Sequence, residues 1–193
     1  MKSIAVFCGS SDGVSTIYRE HAIALGKALA EQEISLVYGG ASVGLMGTVA
    51  DAVLHAGGHV IGVLPHFLQN REIAHHSLSE LIIVDSMHER KSKMAEIADG
   101  FIALPGGPGT MEEYFEIFTW AQLGLHEKPC GLLNINHYYD PLISLFDRMA
   151  EEQFMQEKYR AMVLTDTTPQ GILRQFTNYT PPAVKTYITS KRT

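Results

Sequence analysis

The chain has 193 residues, 46% of them hydrophobic and 19% charged, with a formal net charge of −6. That profile excludes a disordered chain, and the length buries a sizeable core within one domain. The acidic balance, without clustered Lys or Arg, argues against a nucleic-acid partner but not against a small anion held by a few placed groups.

Taken in order, SIAVFC (residues 3–8) predicts a buried strand. GVSTIYREHAIALGKALAEQ follows with Ile17, His21, Ala24, Leu25 and Leu29 near helical spacing. ISLVYGG is a second strand, and GLMGTVADAVLHAGG a helix closed by Gly57 and Gly58. HVIGVLP is a third strand, after which the polar stretch HFLQNREIAHHSLSE breaks the rhythm. LIIVDSM and GFIALPGG are strands, each followed by a helix, HERKSKMAEIAD and TMEEYFEIFTWAQLGL. PCGLLNIN is a sixth strand, and YYDPLISLFDRMAEEQF a helix with Pro141 early in it. MVLTDT and TPQGILRQFTNY form a last strand and helix. Residues 1–180 thus form a single domain, and 181–193 a loosely held tail.

Strands separated by helices pair in parallel through right-handed crossovers, and near-continuous apolar strands are covered on both faces. The expected fold is α/β: a doubly wound, Rossmann-like parallel sheet with helices on both faces. No stretch is long enough for a membrane span, and the apolar run after Lys2 is too short for a secretion signal. Cys8 and Cys130 lie in apolar runs and read as buried thiols in a reducing compartment. The expectation is a cytoplasmic protein with no membrane partner.

Ligands of such sheets bind beyond the carboxyl ends of the strands. Three strand ends carry glycine-rich turns, CGSSDG (8–13), GGASVGLMG (39–47) and PGGPGT (105–110). None has the spacing of a dinucleotide fingerprint or of a triphosphate loop. Two readings of PGGPGT stay open. Thr110 could cap the following helix, with Glu113 completing a capping box. Alternatively, free N–H groups and the helix dipole could hold a phosphate, with the glutamate turned toward the ligand. In MHERKSKM (87–94), Arg90 and Lys91 fall early in a helix, where cations oppose the dipole and call for a carboxylate or a phosphate nearby. For Lys91 or Lys93 alone, a solvated basic face is the simpler reading. If the fourth strand neighbours the fifth, Arg90 and Glu113 emerge at one sheet edge.

MHERKSKM followed by PGGPGTMEE resembles the paired signatures of the LONELY GUY (LOG) family of cytokinin riboside 5′-monophosphate phosphoribohydrolases, long labelled "possible lysine decarboxylase". The likeness runs from VFCGSSDG through YGGASVGLMG and TWAQLGLHEKPCGLLN into the C-terminal helices. It implies a Rossmann-like homodimer that hydrolyses AMP or an N6-modified AMP to free base and ribose 5-phosphate. It places Arg90 and Glu113 at the catalytic positions and Gly106, Gly107, Gly109 and Thr110 in the phosphate turn. Glu72, Lys91 and Thr119 match further positions associated with substrate. Pro108 stands where members often carry a larger residue, and it removes one N–H from the turn.

Glycosidic cleavage passes through an oxocarbenium-like state. A carboxylate such as Glu113 stabilises that cation or orients water. Arg90 either assists the departing base or clamps ribose or phosphate. No metal or cofactor is expected: no metal-ligand spacing, flavin site or pyridoxal arrangement stands out. His75 and His76 read as loop histidines, Cys8 as a buried thiol, and Phe115, Phe118 and Trp120 as helix core or dimer contact. Glu112 and Glu113 point in different directions on a helix. The competing reading is a non-hydrolytic nucleotide-binding or sensor protein of the same fold.

Overall fold

A computed structural model describes residues 1–69 and 74–183. Its strands are β1 (Ser3–Phe7), β2 (Ser35–Tyr38), β3 (Val60–Pro65), β4 (Glu80–Val84), β5 (Phe101–Ala103), β6 (Cys130–Leu133) and β7 (Val163–Asp166). The helices are α1 (Thr16–Glu31), α2 (Gly44–His55), α3 (His66–Gln69), α4 (Met87–Ile97), α5 (Pro108–Gln122), α6 (Asp140–Glu151), α7 (Glu157–Arg160) and α8 (Pro169–Thr177). The strands form one sheet of order β4-β3-β2-β1-β5-β6-β7, paired in parallel throughout. The chain steps outward from β1 to β4, then returns to the other side of β1, so the topological switch point lies between β1 and β5. This is the doubly wound fold that the alternation predicts.

Side chains alternate across the sheet with the strand period of two. Ile4 and Val6 face a core under α1, α2 and α8, whereas Ala5 and Phe7 face one under α4, α5 and α6. In the second core Phe146 packs against Phe115 and Phe118, with ring centroids 5.6 and 5.4 Å away. Burial of Phe118 and Phe146 contributes on the order of 2 kcal/mol per ring. Phe118 is therefore core, and Phe115 and Trp120 pack partly buried at its margin.

Helix ends follow local chemistry. Ser15 accepts from the N–H of Ile17 at the start of α1, and Gly57 (φ 77) follows the last turn of α2. Pro141 occupies the first turn of α6. That helix starts at Asp140, so Tyr138 and Tyr139, which the sequence pattern assigns to it, precede it. Both cysteines are free and buried. Among the described residues no helix is long and apolar enough to cross a membrane.

Candidate functional site

At the switch point the first and third glycine turns lie side by side. The Gly9 N–H donates to the Pro105 carbonyl at 3.1 Å, and the Leu45 N–H donates to the Gly9 carbonyl at 3.1 Å. Gly44 has φ 57, and a Cβ there would come within 2.3 Å of the Ser10 backbone. A Cβ on Gly106 would lie 2.1 Å from Thr110 Oγ1 and 2.8 Å from the Gly9 nitrogen. Both glycines are therefore demanded by close packing of the turns. A cleft of about 280 Å³ opens here, with Gly9, Ser10, Tyr18, Pro105, Gly107 and Tyr138 among its walls.

Helix α5 begins one turn earlier than a Thr110 cap requires. Gly107 is its N-cap and Pro108 its first residue, while Thr110 is buried inside the first turn. The capping box of Thr110 and Glu113 does not form. Pro108 also removes no useful intrahelical donor, because the first N–H groups of a helix have no partner within it. A Cβ on Gly107 or Gly109 would meet nothing within 4 Å. Packing within the chain gives no reason for glycine at either position. Open space beside free helix N–H groups is what an anion needs.

Arg90 and Glu113 meet in an ion pair through Nη2 and Oε1, their side chains only 12% and 13% exposed. The route is not the one expected. β4 is the sheet edge and pairs only with β3, four places from β5. Helix α4 instead crosses back over β3, β2 and β1, which brings Arg90 to the centre of the sheet. There Arg90 Nη1 lies 3.3 Å from where a Cβ on Gly39 would sit. The start of α4 is fixed by two side-chain caps. Ser86 Oγ accepts from the Glu89 N–H at 3.1 Å, and Glu89 Oε2 accepts from the Asp85 N–H at 2.7 Å. The sequence Ser-x-x-Glu could have located that helix start.

Burial raises the Glu113 carboxyl above its ordinary value, against the opposing charge and hydrogen bond of Arg90. Arg90 Nε is buried without a hydrogen-bond partner, so a donor is left over. Glu113 also raises the buried Cys8 thiol, after burial itself, and that thiol is no nucleophile.

Lys91 departs from the solvated-face reading. Its side chain is 7% exposed, and its Nζ contacts Glu112 at 2.5 Å and Glu116 at 2.9 Å. Desolvation pulls it down, but the two carboxylates outweigh this and hold the ammonium above its ordinary value. Lys93 does lie at the surface, 3.1 Å from Glu96. Thr119 is exposed on α5, six residues and about 9 Å of helix beyond Glu113. Glu72 lies outside the described residues. Among the described residues no cluster of His, Cys, Asp or Glu is arranged to hold a metal ion.

Two features escape sequence reading. His75 is buried, its Nδ1 accepting from the Ser77 N–H at 3.2 Å and its Nε2 donating to Asp51 at 3.0 Å. Asp51 lies on α2, and no local spacing announces the pairing. Tyr138 and Tyr139 send their hydroxyls to the carbonyls of Gly106 and Leu104. The NHYYD pattern gives no sign of that reach.

Residues 46–176 match the family model described as "Possible lysine decarboxylase". The cytokinin riboside 5′-monophosphate phosphoribohydrolase LOG7 of Arabidopsis thaliana is 49% identical over 93% of this chain and 83% of its own. The cytokinin riboside 5′-monophosphate phosphoribohydrolase of Rhodococcoides fascians is 51% identical over 89% of this chain and 87% of its own. In fold alone, the molybdenum cofactor binding protein of Rippkaea orientalis is similar, with a TM-score of 0.70 at 21% identity over 92% of this chain and 96% of that one. With identity near one half along most of both chains, this protein belongs to the family of cytokinin riboside 5′-monophosphate phosphoribohydrolases.

Proposed function

We propose that the chain hydrolyses the N-glycosidic bond of AMP or N6-substituted AMP, giving free base and ribose 5-phosphate. The observation that carries this is the largely buried Arg90–Glu113 pair, whose glutamate shares helix α5 with the open glycine turn. The phosphate sits at the N-terminus of α5 on the amides of Gly107, Gly109 and Thr110, with Gly106 closing the turn. About 9 Å of helix separates the N-cap Gly107 from Glu113. A ribose 5-phosphate bridges that span with its anomeric carbon toward the carboxylate.

As the bond to the purine breaks, positive charge grows on the ribose and Glu113 stabilises it or orients the attacking water. One hydrogen of that water leaves with the base and its oxygen stays on the anomeric carbon. Arg90 holds Glu113 through Nη2. The remote phosphate contributes binding energy that positions the reacting carbon.

The reading extends to a homodimer. Helix α5 carries Trp120 beside a cleft of about 520 Å³ that Ser92, Ala95 and Leu125 also line. Apolar surface of this kind suits a second copy of the chain. A monomeric mass by light scattering at micromolar concentration removes that part. Two buried free thiols fit a reducing compartment such as the cytoplasm.

Release of the free base from AMP, N6-isopentenyl-AMP, adenosine, ADP and ATP at equal low concentration tests the reading. Adenosine is expected to react at least about a hundredfold less efficiently than AMP in kcat/KM, since several charge-assisted hydrogen bonds are lost. ADP and ATP are also expected to be poor substrates. Equal rates for adenosine and AMP refute the phosphate turn. Binding of AMP without release of base establishes the non-hydrolytic alternative.

A further inference from the structure

We infer that Tyr138 is a positioning residue for the phosphate turn, locking the Gly106 peptide through its hydroxyl so that the next amide faces the ligand. The inference rests on the phosphate-turn reading above.

Strand β6 ends at Leu133, but the segment beside it runs on past Ala103. On that side Leu104 and Gly106 have carbonyls with no strand to receive them. Tyr139 donates to the Leu104 carbonyl at 2.6 Å, and Tyr138 donates to the Gly106 carbonyl at 2.7 Å. The intervening Pro105 carbonyl takes the Gly9 N–H. Two tyrosine hydroxyls thus hold, from outside the segment, the carbonyls on either side of Pro105.

The peptide linking Gly106 to Gly107 needs an external hold. Neither residue has a Cβ to restrict rotation. A flipped peptide would turn the Gly107 N–H out of the anion site.

The neighbouring turn is shaped to deliver both rings. Asn136 and His137 adopt φ of 50 and 60, a region that L-residues enter rarely and that asparagine and histidine tolerate better than most. Asn134 secures the turn by accepting the Tyr139 N–H at 2.7 Å and donating to Asp140 at 2.7 Å. Tyr18 meets Tyr138 edge to face at 5.9 Å. Tyr139 is 2% exposed and belongs to the core, whereas Tyr138 is 42% exposed in the cleft wall. Only the second can lose its hydroxyl without disturbing the interior.

The test compares Tyr138→Phe and Tyr139→Phe with the wild-type chain. For Tyr138→Phe, KM for AMP is expected to rise roughly tenfold, the scale of one lost hydrogen bond, with kcat within about threefold. The melting temperature should stay within about 2 °C, and the affinity for adenosine, measured by calorimetry, should not change. Tyr139→Phe should instead lower the melting temperature by several degrees, by orphaning a buried carbonyl. A KM for AMP within twofold of wild type in Tyr138→Phe overturns the inference, as does an equal weakening of AMP and adenosine. If the wild type releases no base, the hydrolase reading fails separately. Calorimetry with ribose 5-phosphate then decides, with roughly tenfold weaker binding to Tyr138→Phe supporting the inference and equal binding refuting it.

Discussion

Arg90 and Glu113 form a largely buried ion pair although their helices follow strands at the edge and the centre of the sheet. Their meeting depends on the return path of α4 across the sheet. Arg90→Ala and Glu113→Gln are each expected to lower turnover about a hundredfold or more, roughly 2.7 kcal/mol of barrier, with the fold intact by circular dichroism. Because burial raises Glu113 above its ordinary value of 4.5, the acid limb of kcat/KM should lie above that pH and vanish from the residual activity of Glu113→Gln. Near wild-type turnover in Glu113→Gln shows that the carboxylate does no chemistry.

Lys91 and Lys93 separate a buried clamp from a surface charge. Lys91→Met leaves Glu112 and Glu116 without their shared cation and is expected to lower stability by about 1–3 kcal/mol in urea unfolding. Lys93→Met should change it by less than about 0.5 kcal/mol. If Lys91→Met instead weakens AMP binding with stability unchanged, the ammonium serves the substrate and not the two helices.

His126 gives the fold an acid-sensitive point. Its Nε2 donates to the Ile117 carbonyl at 3.0 Å and its Nδ1 accepts from the Lys128 N–H at 3.1 Å, an arrangement only the neutral ring satisfies. Burial lowers its pKa from 6.5 to about 4. The unfolded chain therefore binds a proton before the folded one does. Stability from this residue is full above pH 6.5, declines as pH falls, and is lost below about 4. The loss is on the order of 3 kcal/mol. Unfolding of His126→Gln measured from pH 7 to pH 4 should lack this component; a slope identical to wild type rejects it.

Chelation tests the cofactor expectation. Exhaustive EDTA treatment should leave adenine release from AMP unchanged. Loss of activity restored by one divalent ion would show that a metal takes part.

How much of this was legible follows from the range of each interaction. The strand and helix alternation, the last turn of α2 and the early Pro141 of α6 are local signals, and they mark the elements well. Strand order is not local. Nothing near residues 80–84 states that β4 lies at the edge, and the condition under which Arg90 and Glu113 would share a sheet edge, β4 beside β5, is not met. The two signatures pointed to Arg90 and Glu113, but burial of Lys91 depended on where α5 would pass. The Thr110 cap failed because Pro108 fits the first helical position and starts the helix earlier. Tyr138 was hidden because its partner is a backbone carbonyl, which has no signature of its own.

The seam between β1 and β5 sets when the site can exist. Ala5 pairs with Phe101, and Gly9 leans on Pro105, so distant stretches of chain must close on each other before the cleft has two walls. Contacts of that range form late, since the entropy of closing the intervening chain is lost first. During synthesis the N-terminal strands can pair while the cleft is still half built. A nascent chain that has not yet docked α5 carries the arginine without its carboxylate and the first glycine turn without the third.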